Sequence, residues 1–123
     1  MKKYTQEQLD EILKKHKKWL DGEDGGERAD LTNTDLTYAD LTYADLDFSS
    51  FPLWCGSLKA QFDDRLIIQL LYHLLSIAKH SKNISAEIKQ TLLCHDLICI
   101  ANKFHRVSEC GMIKREESEC KNS

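Results

Sequence analysis

Three stretches of the chain place apolar residues at helical spacing. The first begins at Thr5, which can cap a helix because Gln8 stands three residues later, as in a capping box. We expect this helix to end near Asp21 and Gly22, since glycine favours the conformation that follows a last helical turn. The residues at helical positions along it are Leu9, Ile12, Leu13, His16 and Leu20.

The second and third stretches predict two C-terminal helices that form a hairpin. Asp63 and Asp64 favour the start of the second helix, whereas Ser85 can cap the third and Glu87 lies in its first turn. The second helix is apolar around most of its circumference, so we expect it to be buried on most sides. Its apolar residues are Leu66, Ile67, Ile68, Leu70, Leu71, Leu74, Leu75, Ile77 and Ala78. Those of the third helix are Ile88, Leu92, Leu93, Leu97, Ile98, Ile100, Ala101 and Phe104.

A block of five residues recurs between the first and second helices. It runs from Ala29-Asp30-Leu31-Thr32-Asn33 through three similar blocks to a degenerate fifth, Ser49-Ser50-Phe51-Pro52-Leu53. A small residue stands two places before each central residue, and a period of five suits neither an α-helix nor a flat strand. The central residues are Leu31, Leu36, Leu41, Leu46 and Phe51.

These blocks resemble the pentapeptide-repeat family, whose members coil as a right-handed, four-sided β-helix. The resemblance implies that the central residue and the small residue point inward and that the other three point outward. Four blocks make one coil in that family, so this chain has little more than one coil and needs caps from its flanking helices. The outward aromatic residues could form an interface or pack under flanking helices; they are Tyr38, Tyr43 and Phe48.

The stretch FPLWCGS, residues 51–57, ends the repeat. Pro52 lacks a backbone donor, and Gly56 has no side chain to occupy the next inward position. Trp54 is large enough to cover the open end of the coil, although an exposed indole could instead stack on a ligand.

Together these patterns predict an α+β fold. Its parts are a capping helix over 1–22, a β-helix over 27–53, a helical region over 54–113 and a disordered tail over 114–123.

Composition excludes several classes of protein. The 123 residues are 41 % hydrophobic and 30 % charged, as in a folded domain, and the net charge of −3 gives no general attraction to nucleic acid or membranes. No apolar run is long enough for a membrane helix, and the N-terminus does not read as a secretory signal. We therefore expect a cytoplasmic protein whose five cysteines stay reduced.

Polar residues on the two C-terminal helices could share a cleft. Arginine suits phosphate, and tyrosine or histidine can stack on a base, so the set fits an anionic, planar ligand such as a nucleotide. The alternative is that they make ordinary surface or helix–helix contacts. The proposed ligand-binding residues are Arg65, Gln69, Tyr72, His73, Asn102, His105 and Arg106, with Trp54 at the edge.

Cysteine and histidine residues raise the question of a metal. There is no Cys-x-x-Cys pair, and two of the cysteines fall in the apolar third helix, so we expect neither a metal nor a cofactor. We also expect no enzyme, because no nucleophile or phosphate-cradling motif is present. The residues considered as ligands are His73, Cys94, His95, Cys99, His105 and Cys110.

The whole layout resembles small pentapeptide-repeat proteins of bacteriophages and prophages. The segments that carry this resemblance are HKKWLDGEDGGERADL, FPLWCGS, DDRLIIQLLYH and ANKFHRVSECG. It implies a small accessory protein of the host bacterial cytoplasm and brings no established activity with it. Because many small accessory phage proteins counter host defences, our hypothesis is a non-enzymatic binding protein that antagonises a host process, foremost an anti-phage defence system. The expected partner is a host defence protein or a small nucleotide signal, with no membrane or nucleic-acid partner. We also expect a homo-oligomer.

Two alternatives remain open at this point. One is a self-assembling structural protein without a ligand. The other is a DNA mimic, as some long pentapeptide-repeat proteins are. Mimicry is disfavoured because the acidic residues fall one per block on different sides of the coil; they are Asp30, Asp35, Asp40 and Asp45.

Overall fold

The structure, a computed structural model, describes residues 1–114; the predicted tail from residue 115 onward lies outside the described residues. The chain divides into two units between Asp63 and Asp64. Unit 1 contains helix α1 (Gln6–Leu20), the five-residue repeat and a 3-10 turn (Cys55–Ser57). Unit 2 contains α2 (Asp64–His80), α3 (Ala86–Leu92), α4 (His95–Ala101) and α5 (Val107–Cys110). No helix within residues 1–114 combines the length and apolar character that crossing a bilayer requires.

Helix α1 starts at the capping box that the sequence predicts. The Thr5 hydroxyl accepts a hydrogen bond from the Gln8 N–H at 3.1 Å, and Gln8 Oε1 accepts one from the Thr5 N–H at 2.9 Å. The helix is followed by Gly22 at φ 71°, a left-handed conformation that glycine adopts without steric cost. Leu9 and His16 are its buried side chains.

Each block of the repeat is a turn with a fixed role for each position. Oδ1 of Asp35 accepts from the Thr37 N–H at 2.9 Å and from the Thr37 hydroxyl at 2.6 Å, which closes a turn over Leu36. Three of the five central residues are fully buried, with exposed fractions of 0 % to 1 % at Leu31, Leu36 and Leu41, whereas Leu46 and Phe51 are partly buried. The last residue of each of the first four blocks has a positive φ of 58° to 64°; these residues are Asn33, Tyr38, Tyr43 and Phe48.

One or two backbone hydrogen bonds connect each of the first three blocks to later segments of unit 1. The Leu31 N–H donates to the Ser50 carbonyl at 2.8 Å, the Leu36 N–H to the Gly56 carbonyl at 2.8 Å, and the Leu41 N–H to Gln61 at 2.9 Å. These contacts give isolated parallel bridges, and no strand or sheet occurs within the described residues.

The predicted right-handed β-helix is therefore wrong, and so is the α+β class that depended on it. The fold consists of helices and a turn-rich repeat. A left-handed residue closes each of the first four blocks, so no run of extended residues there is long enough to pair as a ladder. The segment is long enough for only about one coil of four blocks. Most of its backbone positions therefore have no adjacent coil with which to form hydrogen bonds.

The predicted C-terminal hairpin is also wrong, because the third helix is broken. Leu93 ends α3 with φ −91° and ψ 37°, and Cys94 is extended with ψ 159° before α4 begins. Leu93 is 0 % exposed and lies in the core of unit 2. Burial of Leu93 at a kink thus prevails over an apolar pattern that reads as one continuous helix. The core around it contains Tyr72, Leu75, Leu93, Ile98, Ala101, Phe104 and Ile113.

Helix α2 packs against α3 and α4. Its C-terminal end is capped by Lys89, whose ammonium donates to the carbonyls of Lys79 at 3.0 Å and Ser81 at 3.1 Å. A lysine at this place satisfies carbonyls that have no partner within the helix.

Candidate functional site

Tyr72, a predicted ligand-binding residue, is part of the core of unit 2. It is 5 % exposed, and its ring stacks on Phe104 with the centroids 4.6 Å apart. Its hydroxyl donates to the Gly111 carbonyl at 2.5 Å. Both the ring face and the polar tip of Tyr72 therefore have partners inside the unit.

Asn102 likewise makes internal contacts. Its Nδ2 donates to the Ile113 carbonyl at 3.0 Å, and its Oδ1 accepts from the Ile113 N–H at 2.8 Å. The Asn102 amide thus pairs with both backbone groups of Ile113, as a residue of a neighbouring strand would. This pairing holds the segment that follows α5 in place.

Two predicted histidines lie around Phe104. His73 approaches the Phe104 ring edge-on at 5.7 Å, and His105 does so at 4.9 Å. Both histidines are exposed. Tyr72, His73 and His105 thus lie around one aromatic ring, that of Phe104.

The remaining polar residues of this set are partly buried. Arg106 donates to Glu109 Oε2 at 2.5 Å, an ion pair one turn apart. Arg65 and Gln69 lie on α2, and each has interaction partners.

Trp54, the predicted edge of the cleft, lies in unit 1. Its Nε1–H donates to the Thr34 carbonyl at 2.9 Å, and the side chain keeps 38 % of its surface exposed. The indole covers Gly56 so closely that a Cβ there would come within 2.0 Å of the ring. Only a glycine at position 56 therefore leaves room for the indole of Trp54 in this position.

The predicted interface aromatics are exposed, at 72 % for Tyr38, 85 % for Tyr43 and 61 % for Phe48. Each occupies a left-handed position, which costs a non-glycine residue about 1–2 kcal/mol. Phe48 meets the edge of Trp19 at 6.5 Å, and the Lys59 ammonium lies 5.5 Å from the Tyr38 ring centroid. Their role as an interface stays a prediction.

A line of exposed apolar residues on α2 was not predicted. We call Ile67, Leu70, Leu74 and Ile77 the α2 stripe; they recur every three or four residues and are 54 %, 45 %, 50 % and 65 % exposed. The expectation that this helix is buried on most sides is therefore wrong. The sequence signal was the excess of apolar residues over what one core-facing side needs.

A groove of about 190 Å³ lies in unit 1 and shares no residue with the predicted cleft. It is lined by Tyr4, Glu11, Ile12, Lys15, Glu27, Arg28, Ala29 and Asp30.

The potential metal ligands do not gather. No group of three or more suitable side chains that could hold a metal ion occurs in the part of the chain that the structure describes. His95 and Cys99 do meet as a pair on α4, with Nε2 3.4 Å from Sγ.

Hydrogen bonds lower the pKa of three aspartates in the repeat. The Thr32 hydroxyl, and after it the Thr32 N–H, lowers the pKa of Asp30 below the ordinary value of an aspartate carboxyl. Thr37 lowers the pKa of Asp35 and Thr42 lowers the pKa of Asp40 in the same way. The folded repeat therefore favours the ionised form of these three carboxyl groups.

With this geometry, residues 27–51 match the family model "Pentapeptide repeats (8 copies)". The chain carries a pentapeptide-repeat segment. The match covers about a fifth of the 123 residues, so unit 2 lies outside it. Neither the curated proteins nor the solved structures contain a match to the chain.

Proposed function

We propose that this pentapeptide-repeat protein is a non-enzymatic binding protein and that its partner is another protein, held on the α2 stripe. The observation that carries the proposal is the exposure of four large apolar side chains along one side of a 17-residue helix. A contiguous apolar surface marks an interaction site more often than scattered apolar residues do. The spacing of Ile67, Leu70, Leu74 and Ile77 suits insertion of a helix face into an apolar groove.

The nucleotide form of the function has less support. Tyr72 was expected to stack on a base, but its ring stacks on Phe104 and its hydroxyl binds Gly111. The polar atoms of Asn102, another residue of the predicted set, bind Ile113. Arg106, which was to bind phosphate, pairs with Glu109. A nucleotide would have to replace these contacts with its own, at the cost of the core packing that they support.

The finer proposal is that the partner belongs to an anti-phage defence system. Its support is the resemblance of the chain's layout to small phage and prophage pentapeptide-repeat proteins. It predicts that producing the chain raises the plating efficiency of a phage on bacteria that carry the target system.

Paired charge variants test the α2 stripe. In Leu70→Glu/Leu74→Glu, two carboxylates replace apolar side chains, so binding to the partner and the gain in plating should both be lost. Asn83→Glu/Gln90→Glu adds the same charge at exposed polar positions of unit 2 and should keep both. Equal behaviour of the two variants, with circular dichroism showing that both are folded, would refute the proposal.

A thermal-unfolding panel with linear and cyclic nucleotides separates the two forms. A ligand present at a hundred times its Kd stabilises the folded state by about 2.7 kcal/mol. We expect no nucleotide to raise the melting temperature. A clear rise in melting temperature with one nucleotide, lost in Arg65→Ala/Arg106→Ala, would indicate that the partner is a nucleotide and not a protein.

A further inference from the structure

The first and third blocks of the repeat pair with later residues in the same way. Asp30 bridges Ser50 and Asp40 bridges Gln61, both as parallel partners. In each bridge the hydrogen bonds are made by the two residues that flank the aspartate. The N–H and carbonyl of Asp30 and of Asp40 therefore point to the opposite side, because successive residues of an extended segment direct these groups to alternate sides.

On that opposite side, the side-chain amide of Gln6 occupies both backbone groups of Asp40. Gln6 Oε1 accepts from the Asp40 N–H at 2.9 Å, and Gln6 Nε2 donates to the Asp40 carbonyl at 2.9 Å. Lys2 acts in a similar way on the second block, where its carbonyl accepts from the Asp35 N–H at 2.7 Å. The corresponding N–H and carbonyl of Asp30 have no hydrogen-bond partner among residues 1–114.

The groove of unit 1 lies beside these two unpaired groups of Asp30. Asp30 and Ala29 contribute to one wall of the groove, and Ile12 and Lys15 of α1 contribute to the other. The groove thus combines apolar surface at Ile12 and Ala29 with a backbone donor and acceptor that have no protein partner. Because Tyr4 precedes α1 and Lys15 lies in its third turn, the groove runs along the helix and suits an extended segment of chain.

A primary carboxamide fits this arrangement better than the charged side-chain groups do. It carries a donor and an acceptor side by side, as Gln6 does at Asp40. A carboxylate has no donor for the Asp30 carbonyl, and an ammonium or guanidinium has no acceptor for the Asp30 N–H. Charged side chains of both signs line the groove, so they do not select for a strongly charged ligand; they are Glu11, Lys15, Glu27 and Arg28.

We propose that this groove binds an extended peptide segment through an asparagine or glutamine side chain. The carboxamide of that side chain pairs with the N–H and carbonyl of Asp30, as the Gln6 carboxamide pairs with those of Asp40. The apolar parts of the segment lie on Ile12 and Ala29. This site belongs to unit 1 and does not depend on the α2 stripe, which belongs to unit 2.

Three capped tripeptides test the assignment on the full-length chain by NMR titration. Each has an acetyl and an N-methylamide end, and the central residue is glutamine, glutamate or methionine, so only the first contains a primary carboxamide. The glutamine peptide should shift the Asp30 amide resonance in a saturable way, and the other two should bind at least about tenfold more weakly. The Asp40 amide is the internal control and should not shift, because Gln6 already occupies it.

Two variants separate binding in the groove from binding elsewhere on α1. Lys15→Trp places a large ring in the groove and should abolish the shift of the Asp30 amide. Lys14→Trp, at an exposed position that does not line the groove, should retain it. An Asp30 amide that the glutamine peptide does not shift, equal binding of the three peptides, or a shift that persists in Lys15→Trp would overturn the proposal.

Discussion

The indole of Trp54 lies on Gly56, in the space that any side chain at position 56 would fill. A Cβ at Gly56 would stand 2.0 Å from one ring carbon of Trp54 and 2.4 Å from another. We expect Gly56→Ala to displace the indole and break its 2.9 Å hydrogen bond to the Thr34 carbonyl. The loss should lower the free energy of unfolding of unit 1 by about 1–3 kcal/mol.

Tryptophan fluorescence measures this effect directly, because both tryptophans, Trp19 and Trp54, belong to unit 1. Urea unfolding of Gly56→Ala should shift to lower denaturant, and the folded-state emission should shift to the red. Gly26→Ala should destabilise unit 1 more, because its Cβ would meet the Trp19 backbone nitrogen at 2.3 Å and backbone cannot move aside as a side chain can. A Gly56→Ala variant as stable as the wild type would contradict the packing described.

His16 connects α1 to the repeat through both ring nitrogens. Nδ1 accepts from the Ala29 N–H at 3.0 Å, and Nε2 lies 2.7 Å from the Asp47 carbonyl. The ring is 0 % exposed, and these partners require a neutral imidazole with its hydrogen on Nε2. His16→Ala removes the acceptor of the buried Ala29 N–H and the ring contact with the Asp47 carbonyl, and it should cost about 2–4 kcal/mol. Urea unfolding followed by fluorescence tests this, with the exposed His80→Ala as a control that should change nothing.

The aspartates of the repeat make unit 1 sensitive to acid. Because the folded state lowers the pKa of Asp30, Asp35 and Asp40, it binds fewer protons than the unfolded state does near pH 3.8. The stabilisation is complete above the unfolded pKa of about 3.8 and is lost as the pH falls through the lower folded values. The melting temperature of unit 1 should therefore fall as the pH decreases below about 4.5.

Removing the threonine hydroxyls tests the cause, since they are the largest contribution to the lowered pKa. The triple variant of Thr32, Thr37 and Thr42 to Val keeps the side-chain shape and the backbone donors. Its melting temperature should depend less steeply on pH between 4.5 and 2.5 than that of the wild type. An unchanged slope would show that other groups govern the acid response.

Asn102 should hold the segment after α5 in place. Because the Ile113 N–H donates to Asn102 Oδ1, Asn102→Ala removes the acceptor that protects this amide. Hydrogen exchange at Ile113, measured by NMR, should become faster by about 10-fold to 100-fold, which corresponds to about 1–3 kcal/mol. The amide of Leu75 in α2 serves as the internal reference. Unchanged exchange at Ile113 would free Asn102 for the ligand-binding role that the sequence suggested.

The sequence predicts those features that depend on neighbouring residues. The capping box at Thr5 follows from local spacing, and the structure contains it. The inward direction of Leu31, Leu36 and Leu41 was implied by the resemblance to pentapeptide repeats, and these three side chains are buried. The kink at Cys94 could not be predicted in this way, because no glycine or proline marks it in the sequence. It depends on the packing of Leu93 in the core.

The candidate site was harder to predict because it too depends on contacts between residues that are distant in sequence. Tyr72 and Asn102 have polar groups suited to a ligand, but the fold uses them on Gly111 and Ile113, which are distant in sequence. Leu74 and Leu75 are adjacent and chemically alike, yet one is 50 % exposed and the other 0 %. Only the three-dimensional arrangement distinguishes the core side of α2 from the α2 stripe.

The central claim is that the α2 stripe holds a partner protein. The most direct test places a photo-crosslinking amino acid at Leu74 in bacterial cells that produce the chain, with the same residue at the exposed Gln90 as a matched control. We predict a crosslinked adduct with a different polypeptide at position 74, several times more abundant than at position 90, and its loss in Leu70→Glu. Equal yields at the two positions, or an adduct only between two copies of this chain, would contradict the claim.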